Sequence, residues 1–408
     1  MRIVMFGTGP FAVPTFTRLL NAATDQVVAV VTRPIDDPGQ RRKSSANPMR
    51  DAAEAHNLQC LPEQSLPILA PVDANAAEFV NQLGALQPDL LVVCDFGQIL
   101  SAECLATARL GGINLHGSLL PKYRGAAPIH WAIYHGEATT GVSVIHMTGK
   151  LDGGPILTRA ATPIAPEETT ETLEPRLAQL GVTPVLSAIE LLRGWDGSTA
   201  LGEPQDPAQA TRARRLRKED ALLKWKRSAV QLANQVRAFQ PWPGTYTQIQ
   251  RASGEPLRLI VLRTVVVDSE TPSGAVPGEV VLVTPNSLSV ATGRGLLALE
   301  QVQPAGKKPM PIAAFLRGNP IQAGDRLGYS FYSAPRQLGI HWPRQLCRHA
   351  AAALAAHIQP QSQKARTSGT FPVPCPRILR QLLREADYLP ESGFRIRSPL
   401  FAQNQSGG

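Results

Sequence analysis

Short runs rich in valine and isoleucine recur through the first 200 residues, separated by segments of helical length, and this alternation restricts the fold more than any other feature. Ile3 to Phe6, Val27 to Thr32, Leu90 to Cys94, Ile113 to Leu115 and Val142 to Met147 read as strands. Strands that alternate with helices predict an α/β fold built on a doubly wound, mostly parallel sheet. Asn47-Pro48 predicts a helix start, with Asn as cap and Pro in the first turn, and Asp36 to Lys43 before it reads as a loop. From Gly194 to Ala210 the composition turns to Gly, Pro, Asp and Ser, which predicts an exposed linker. The expected organisation is therefore a domain over residues 1–193, a linker over 194–210, a second domain over 211–328 and an extension over 329–408.

In the second domain, Ser228 is positioned to cap a helix that carries Ala229, Leu232, Ala233, Val236 and Phe239 on one face and stops at Pro241-Trp242-Pro243-Gly244. Residues 257–267, 278–284, 287–291 and 296–302 read as closely spaced strands of a small all-β, OB-like barrel. The extension carries 10 basic and 3 acidic residues and reads as a basic appendage, in part disordered.

The net charge of +9 hides a division along the chain. Residues 1–200 hold 14 Lys and Arg against 19 Asp and Glu, whereas residues 201–408 hold 27 against 13. Such an excess in one half points to a polyanionic partner, either nucleic acid or an anionic membrane surface. No run approaches the roughly 18 to 20 apolar residues that span a bilayer, so no membrane segment is expected. The first residues lack the basic start, long apolar stretch and small-residue cleavage site of an export signal. The five cysteines are odd in number, dispersed and free of any C-x-x-C pair, which fits reduced thiols in the cytoplasm better than a disulfide framework or a zinc site.

Gly7-Thr8-Gly9-Pro10 follows the first strand but makes a poor dinucleotide fingerprint. No third glycine follows, Pro10 removes a backbone donor, and the second strand ends without the acidic residue that binds a ribose. The densest polar cluster is instead Gly111 to Gly154. Asn114 and His116 stand two apart in a strand and so project to one face, at the end of an apolar strand where a ligand crevice is expected. Asp152, followed by Gly153-Gly154, lies on a loop beyond the next strand. Such a trio suits acyl transfer to an amine: Asn114 can donate to the oxyanion, His116 can manage the amine's proton, and Asp152 can orient the ring. No Ser or Cys nucleophile accompanies them. His116, His130, His135 and Asp152 show no metal-ligand spacing, so no metal is expected; His130, His135, His146, Trp131 and Tyr134 read as structural.

The segments Asn114 to Pro121, Tyr123 to Pro128 and Leu151 to Gly154 resemble the 10-formyltetrahydrofolate-dependent formyltransferases, specifically the branch that acts on methionyl-tRNA. Phe239 to Gly244 and Gln303 to Met310 resemble that branch's C-terminal barrel, and the likeness runs over residues 1–328. It implies transfer of the formyl group of 10-formyltetrahydrofolate to the α-amino group of methionyl-initiator tRNA, with Asn114, His116 and Asp152 catalytic. Phe96, Gly97, Gln98, Ile99 and Leu100, with Ser118, Leu119, Leu120 and Pro121, match the family's folate-binding stretches. Arg41, Arg42 and Lys43 match a basic loop that reaches the acceptor end, although Gln40 falls where an arginine is usual; Lys307 and Lys308 are further candidates for tRNA contact. A monomer is expected. Two other functions compete: formyl transfer to a small amine such as an amino sugar nucleotide, and RNA binding without catalysis.

Overall fold

The computed structural model describes residues 1–35, 46–250 and 256–328. The predicted loop residues Asp36 to Lys43 and the extension 329–408 lie outside them. The apolar runs of the first domain form β1 (Arg2–Gly7), β2 (Gln26–Val31), β3 (Ile68–Leu69), β4 (Leu90–Cys94), β5 (Gly112–His116), β6 (Thr139–His146) and β7 (Ile156–Pro163). Between and after them lie α1 (Val13–Leu20), α2 (Pro48–Asn57), α3 (Ala77–Ala85), α4 (Ala102–Leu105), α5 (Pro128–His135), α6 (Thr170–Leu180) and α7 (Val182–Arg193). The sheet order is β3-β2-β1-β4-β5-β6-β7, parallel from β3 to β5 and antiparallel from β5 to β7. Order reverses between β1 and β4, and sheets of this kind bind ligands outside the carboxyl ends of the strands beside such a switch point.

Alternation along the strands builds two cores. Ile3, Met5, Val92, Ile113 and Leu115 face Phe16, Leu173, Leu177, Val185 and Ile189 on one side of the sheet. Val4, Phe6, Leu91 and Val93 face Phe79 and Leu83 on the other. With both faces covered, β4 is buried at every position. Truncating a fully buried leucine such as Leu173 or Leu177 to Ala in such a core costs ~2–5 kcal/mol. The helix predicted at Asn47-Pro48 starts there: the Asn47 side chain accepts from the Arg50 N–H at 3.1 Å and also from Thr32 Oγ1 at 2.9 Å.

The remainder holds α8 (Ala229–Ala238), β8 (Thr245–Ile249), β9 (Leu257–Asp268), β10 (Val280–Thr284), β11 (Ser287–Ala291), β12 (Leu296–Pro304), β13 (Met310–Pro311) and α9 (Ile312–Gly318). The antiparallel order is β10-β11-β12-β9-β8, with β13 added to β12. Residues 324–328 bind both ends of this sheet. Leu327 N–H donates to Gly278 O at 2.8 Å and Gly328 N–H to Gln248 O at 2.7 Å, so β8 and β10 are joined and neither edge stays open there. Ser228 caps α8 by accepting from the Gln231 N–H at 3.2 Å, and the Gln231 side chain reaches back to the Ser228 N–H. Leu232 and Val236 of α8 belong to the barrel core, whereas Phe239 just beyond it stacks on Tyr134 of α5 with ring centroids 5.2 Å apart.

Candidate active site

The carboxyl end of β5 carries the polar pair expected from sequence. Asn114 is partly buried, and its Nδ2 lies 3.4 Å from Asp152 Oδ1. His116 is 6% exposed, and its Nδ1 lies 3.8 Å from the same oxygen, while the Asp152 side chain is 10% exposed. The three polar groups therefore converge on one point at the rim of the sheet.

The ring of His116 is not oriented by Asp152, since 3.8 Å exceeds hydrogen-bond length. Its Nε2 lies 2.9 Å from the Tyr123 backbone oxygen. A carbonyl can only accept, so Nε2 carries the proton and donates, and Nδ1 is left facing Asp152. Asp152 is held by the backbone instead: its Oδ2 accepts from the Gly125 N–H at 2.8 Å. Gly125 has a φ of +119°, and a Cβ there would stand 2.6 Å from the Ala213 oxygen, so only glycine brings that N–H to the carboxylate.

Two neighbouring segments fix this arrangement. Thr211 Oγ1 accepts from the Tyr123 N–H at 2.8 Å, and the Arg124 N–H donates to Thr211 O at 2.9 Å. Gln205, within the predicted linker, donates from Nε2 to the oxygens of Asp152 at 2.8 Å and Gly154 at 2.7 Å. Its Oε1 accepts from Arg124 Nε at 3.0 Å and Nη2 at 2.6 Å. Asp152 itself has a φ of +48°, a left-handed conformation uncommon outside glycine, so the clamp holds a backbone that would otherwise relax. The Tyr123 phenol donates to Glu137 Oε1 at 2.7 Å; burial, with the adjacent Glu137 carboxylate, pushes its pKa well above the ordinary value and keeps it protonated.

The Phe96 to Leu100 stretch follows β4, the strand paired with β5. Phe96 and Leu100 are buried in the sheet core, and the Gln98 side chain accepts from the Ala74 N–H at 2.9 Å. Ile99 is exposed, and its carbonyl accepts from Asn75 Nδ2 at 2.9 Å. The backbone N–H and C=O groups of Gly97 and Gln98 have no partner among the described residues, so this segment can offer main-chain donors and acceptors but few side chains. Ser118 and Leu120 are committed internally: Ser118 Oγ donates to Lys122 O at 2.7 Å, and Leu120 packs on Ile145 and Ile156. Leu119 and Pro121 remain partly exposed. Lys307 and Lys308 stand exposed in the β12–β13 turn, far along the chain from the trio. Arg41, Arg42 and Lys43 lie outside the described residues.

Sequence reasoning missed Gln205, Thr211 and the main-chain groups of Tyr123 and Gly125. A carbonyl or an N–H has no side-chain signature, although the run of glycine, proline and short polar residues from Gly117 to Gly125 marked the turn that presents them. Asp95, just past β4, was also missed. Its carboxyl oxygen packs so closely on Gly9 that a Cβ there would lie 1.8 Å away. Although the residue as a whole is exposed, this tucked carboxyl is desolvated, which raises its pKa to about 6 against the opposing pull of Arg33. Among the described residues no three His, Cys, Asp or Glu side chains converge as a metal site would require, and no helix is long and apolar enough to cross a membrane.

Residues 1–189 match the formyl transferase family, and residues 215–320 match the formyl transferase C-terminal domain. The methionyl-tRNA formyltransferase of Rhodopirellula baltica is 42% identical over 333 residues, covering 80% of this chain and 96% of that one. That of Moorella thermoacetica is 40% identical over 328 residues, 80% of this chain and 99% of the relative. Among solved structures, the sugar 3N-formyltransferase WlaRD, with dTDP and 5-N-formyl-THF, superposes with a TM-score of 0.51 at 16% identity, over 76% of this chain and 99% of that one. At that identity the likeness concerns the fold alone. The family match spans both regions and the curated relatives are matched over nearly their full length; the chain belongs to the formyltransferase family, in the branch whose curated members are methionyl-tRNA formyltransferases.

Proposed function

We propose that the chain transfers the formyl group of 10-formyltetrahydrofolate to the α-amino group of methionyl-initiator tRNA, in the cytoplasm and as a monomer. The observation that carries this reading is the meeting of Asn114, His116 and Asp152 on one point at the carboxyl end of β5, in a chain of this family. Asn114 Nδ2 donates to the oxyanion that develops when the amine adds to the formyl carbon. His116 Nδ1, left free by the bond of Nε2 to Tyr123, takes the proton that the amine loses as the new C–N bond forms. That proton passes to the folate nitrogen as its bond to the formyl carbon breaks, so charge balances over the transfer. Asp152 holds negative charge beside the cationic amine, and the Gly125 N–H fixes where that charge sits.

The main chain of Gly97 and Gln98, unpaired among the described residues, with the partly exposed Leu119 and Pro121, provides the folate side of the site. Residues 1–193 carry the chemistry and residues 211–328 grip RNA, with residues 194–210 between them acting as a clamp as well as a linker. Lys307 and Lys308 contact phosphates of the tRNA, as do Arg41, Arg42 and Lys43. Contacts of this kind give affinity without reading bases and weaken steeply with salt.

The test compares formyl transfer from 10-formyltetrahydrofolate to methionyl-initiator tRNA, free methionine and nucleotide-linked amino sugars. The proposal requires that tRNA be the favoured acceptor by orders of magnitude in kcat/KM. Equal or better use of an amino sugar refutes it.

A further inference from the structure

Next to the candidate site a small chamber of about 170 Å³ opens, bounded by Ala126 and Ala127, by His130 of α5, by Arg215 and Leu216, and by Trp242. Ala126 and Ala127 directly follow Gly125, so one wall of the chamber continues into the backbone that holds Asp152. Its volume is well below the roughly 300 Å³ at which pockets begin to enclose a drug-sized ligand, and it suits a single ring system.

The lining has three features that packing does not explain. Trp242 leaves half of its surface exposed, whereas Trp131 and Trp225 are both buried. The Arg215 guanidinium and the His130 imidazole have no hydrogen bond or ion pair with another described residue. In contrast, the neighbouring Arg214 pairs with Asp220 and lies over Trp131, with 4.8 Å from its guanidinium carbon to the ring centroid. Burial pushes the His130 pKa down to about 4, so at neutral pH the ring has one donor and one acceptor nitrogen rather than a charge. Exposed Arg212, Arg217 and Lys218 stand on the same segment as Arg215 and would attract a phosphate backbone.

A half-exposed indole, a guanidinium without a partner among the described residues and a neutral imidazole beside small apolar residues are the groups that recognise an unpaired nucleobase by stacking and edge hydrogen bonds. We propose that this chamber seats the 3′-terminal base of the acceptor strand, stacked on Trp242, so that the amino acid esterified to the adjoining ribose reaches Asn114 and His116. This rests on the reading of tRNA as the acceptor.

The experiment titrates uncharged initiator tRNA carrying 2-aminopurine in place of the terminal adenine with the full chain, and it needs no turnover. The wild-type chain should quench the fluorescence, Trp242→Ala should abolish the quenching, and Trp242→Phe should keep most of it. In parallel, Trp242→Ala should raise KM for methionyl-tRNA by ~5- to 100-fold, the usual loss for one stacked base, with kcat changed less than about threefold. Thermal melts identify a variant that fails to fold, in which case Trp242→Phe and Arg215→Ala carry the comparison. Fluorescence unquenched by the wild-type chain, quenching that persists in Trp242→Ala, or an unchanged KM each overturns the assignment. An active wild-type enzyme without quenching sinks the pocket alone, whereas quenching without formyl transfer sinks the functional reading and leaves the pocket standing.

Discussion

Replacing Gln205 by Ala tests whether the segment between the two regions participates in catalysis. The side chain donates to the carbonyls of Asp152 and Gly154 at 2.8 and 2.7 Å and accepts from Arg124 Nε and Nη2 at 3.0 and 2.6 Å. Truncation leaves two carbonyls and a guanidinium without these partners in a half-buried place. A buried orphan group costs ~1–3 kcal/mol, but water can enter here, so the total loss in stability should stay at ~1–3 kcal/mol. For a domain of this size each kcal/mol lowers Tm by roughly 2–4 °C. The effect on rate is of a different kind. Asp152 is held at a φ of +48°, which costs a non-glycine residue ~1 kcal/mol or more, so the released loop relaxes and moves the carboxylate. A displacement of about 1 Å can cost on the order of a hundredfold in rate. Gln205→Ala should therefore lower the single-turnover rate of formyl transfer by ~10- to 100-fold with KM for both substrates changed less than about threefold. Gln205→Glu keeps the acceptor for Arg124 and loses the donor to both carbonyls, so it should fall between. A Gln205→Ala chain that melts lower yet transfers formyl at the wild-type rate would show that the clamp serves the fold only, and the argument about Asp152 would fail.

Asp95 predicts a pH dependence of stability. Its folded pKa of about 6 stands above the ordinary value of 3.8, so the folded state disfavours the charged form; this stability is fully present below pH 3.8 and lost as pH rises through about 6. Asp95→Asn should therefore melt higher than wild type at pH 7.5, by a margin that shrinks towards pH 4, and a margin independent of pH would contradict the desolvation at Gly9. Lys307 and Lys308 are exposed and without side-chain partners among the described residues, so the double Ala variant should reduce the slope of log Kd for tRNA against log salt by about 1–2 with kcat unchanged. A slope identical to wild type removes both from the interface.

Much of the fold could be read from the chain because buried parallel strands are locally apolar: β1, β2 and β4 announce themselves as Val- and Ile-rich runs, and β11 lies at the residues expected. The elements that escaped notice carry the opposite pattern. β7, at the edge of the sheet, buries only Ile156 and sets Thr158, Arg159 and Thr162 among small apolar residues; β8 reads Thr-Tyr-Thr-Gln-Ile; β3 has only two residues; and the closing segment 324–328 pairs through its backbone alone. The same contrast holds at the site. Asn114 and His116 were visible because a strand's period of two puts unlike polar side chains on one face of an apolar run. The partner that orients His116 is a carbonyl, and the one that fixes Asp152 is an amide N–H next to a glycine, neither of which has a side-chain signal. Gln205 lay hidden in a stretch whose composition reads as linker, where a single amide making four bonds cannot be told from a solvated one.

In the proposed mechanism Asn114 and His116 act on the transferring formyl group and leave the binding of its two substrates to other residues. The decisive measurement is single-turnover transfer from 10-formyltetrahydrofolate to methionyl-initiator tRNA, at saturating concentrations of both, for Asn114→Ala and His116→Ala. Each variant should transfer formyl more slowly by on the order of a hundredfold or more, with tRNA affinity within about threefold of wild type and the melting curve preserved. A rate near wild type for either variant, or a loss that follows tRNA affinity alone, contradicts it.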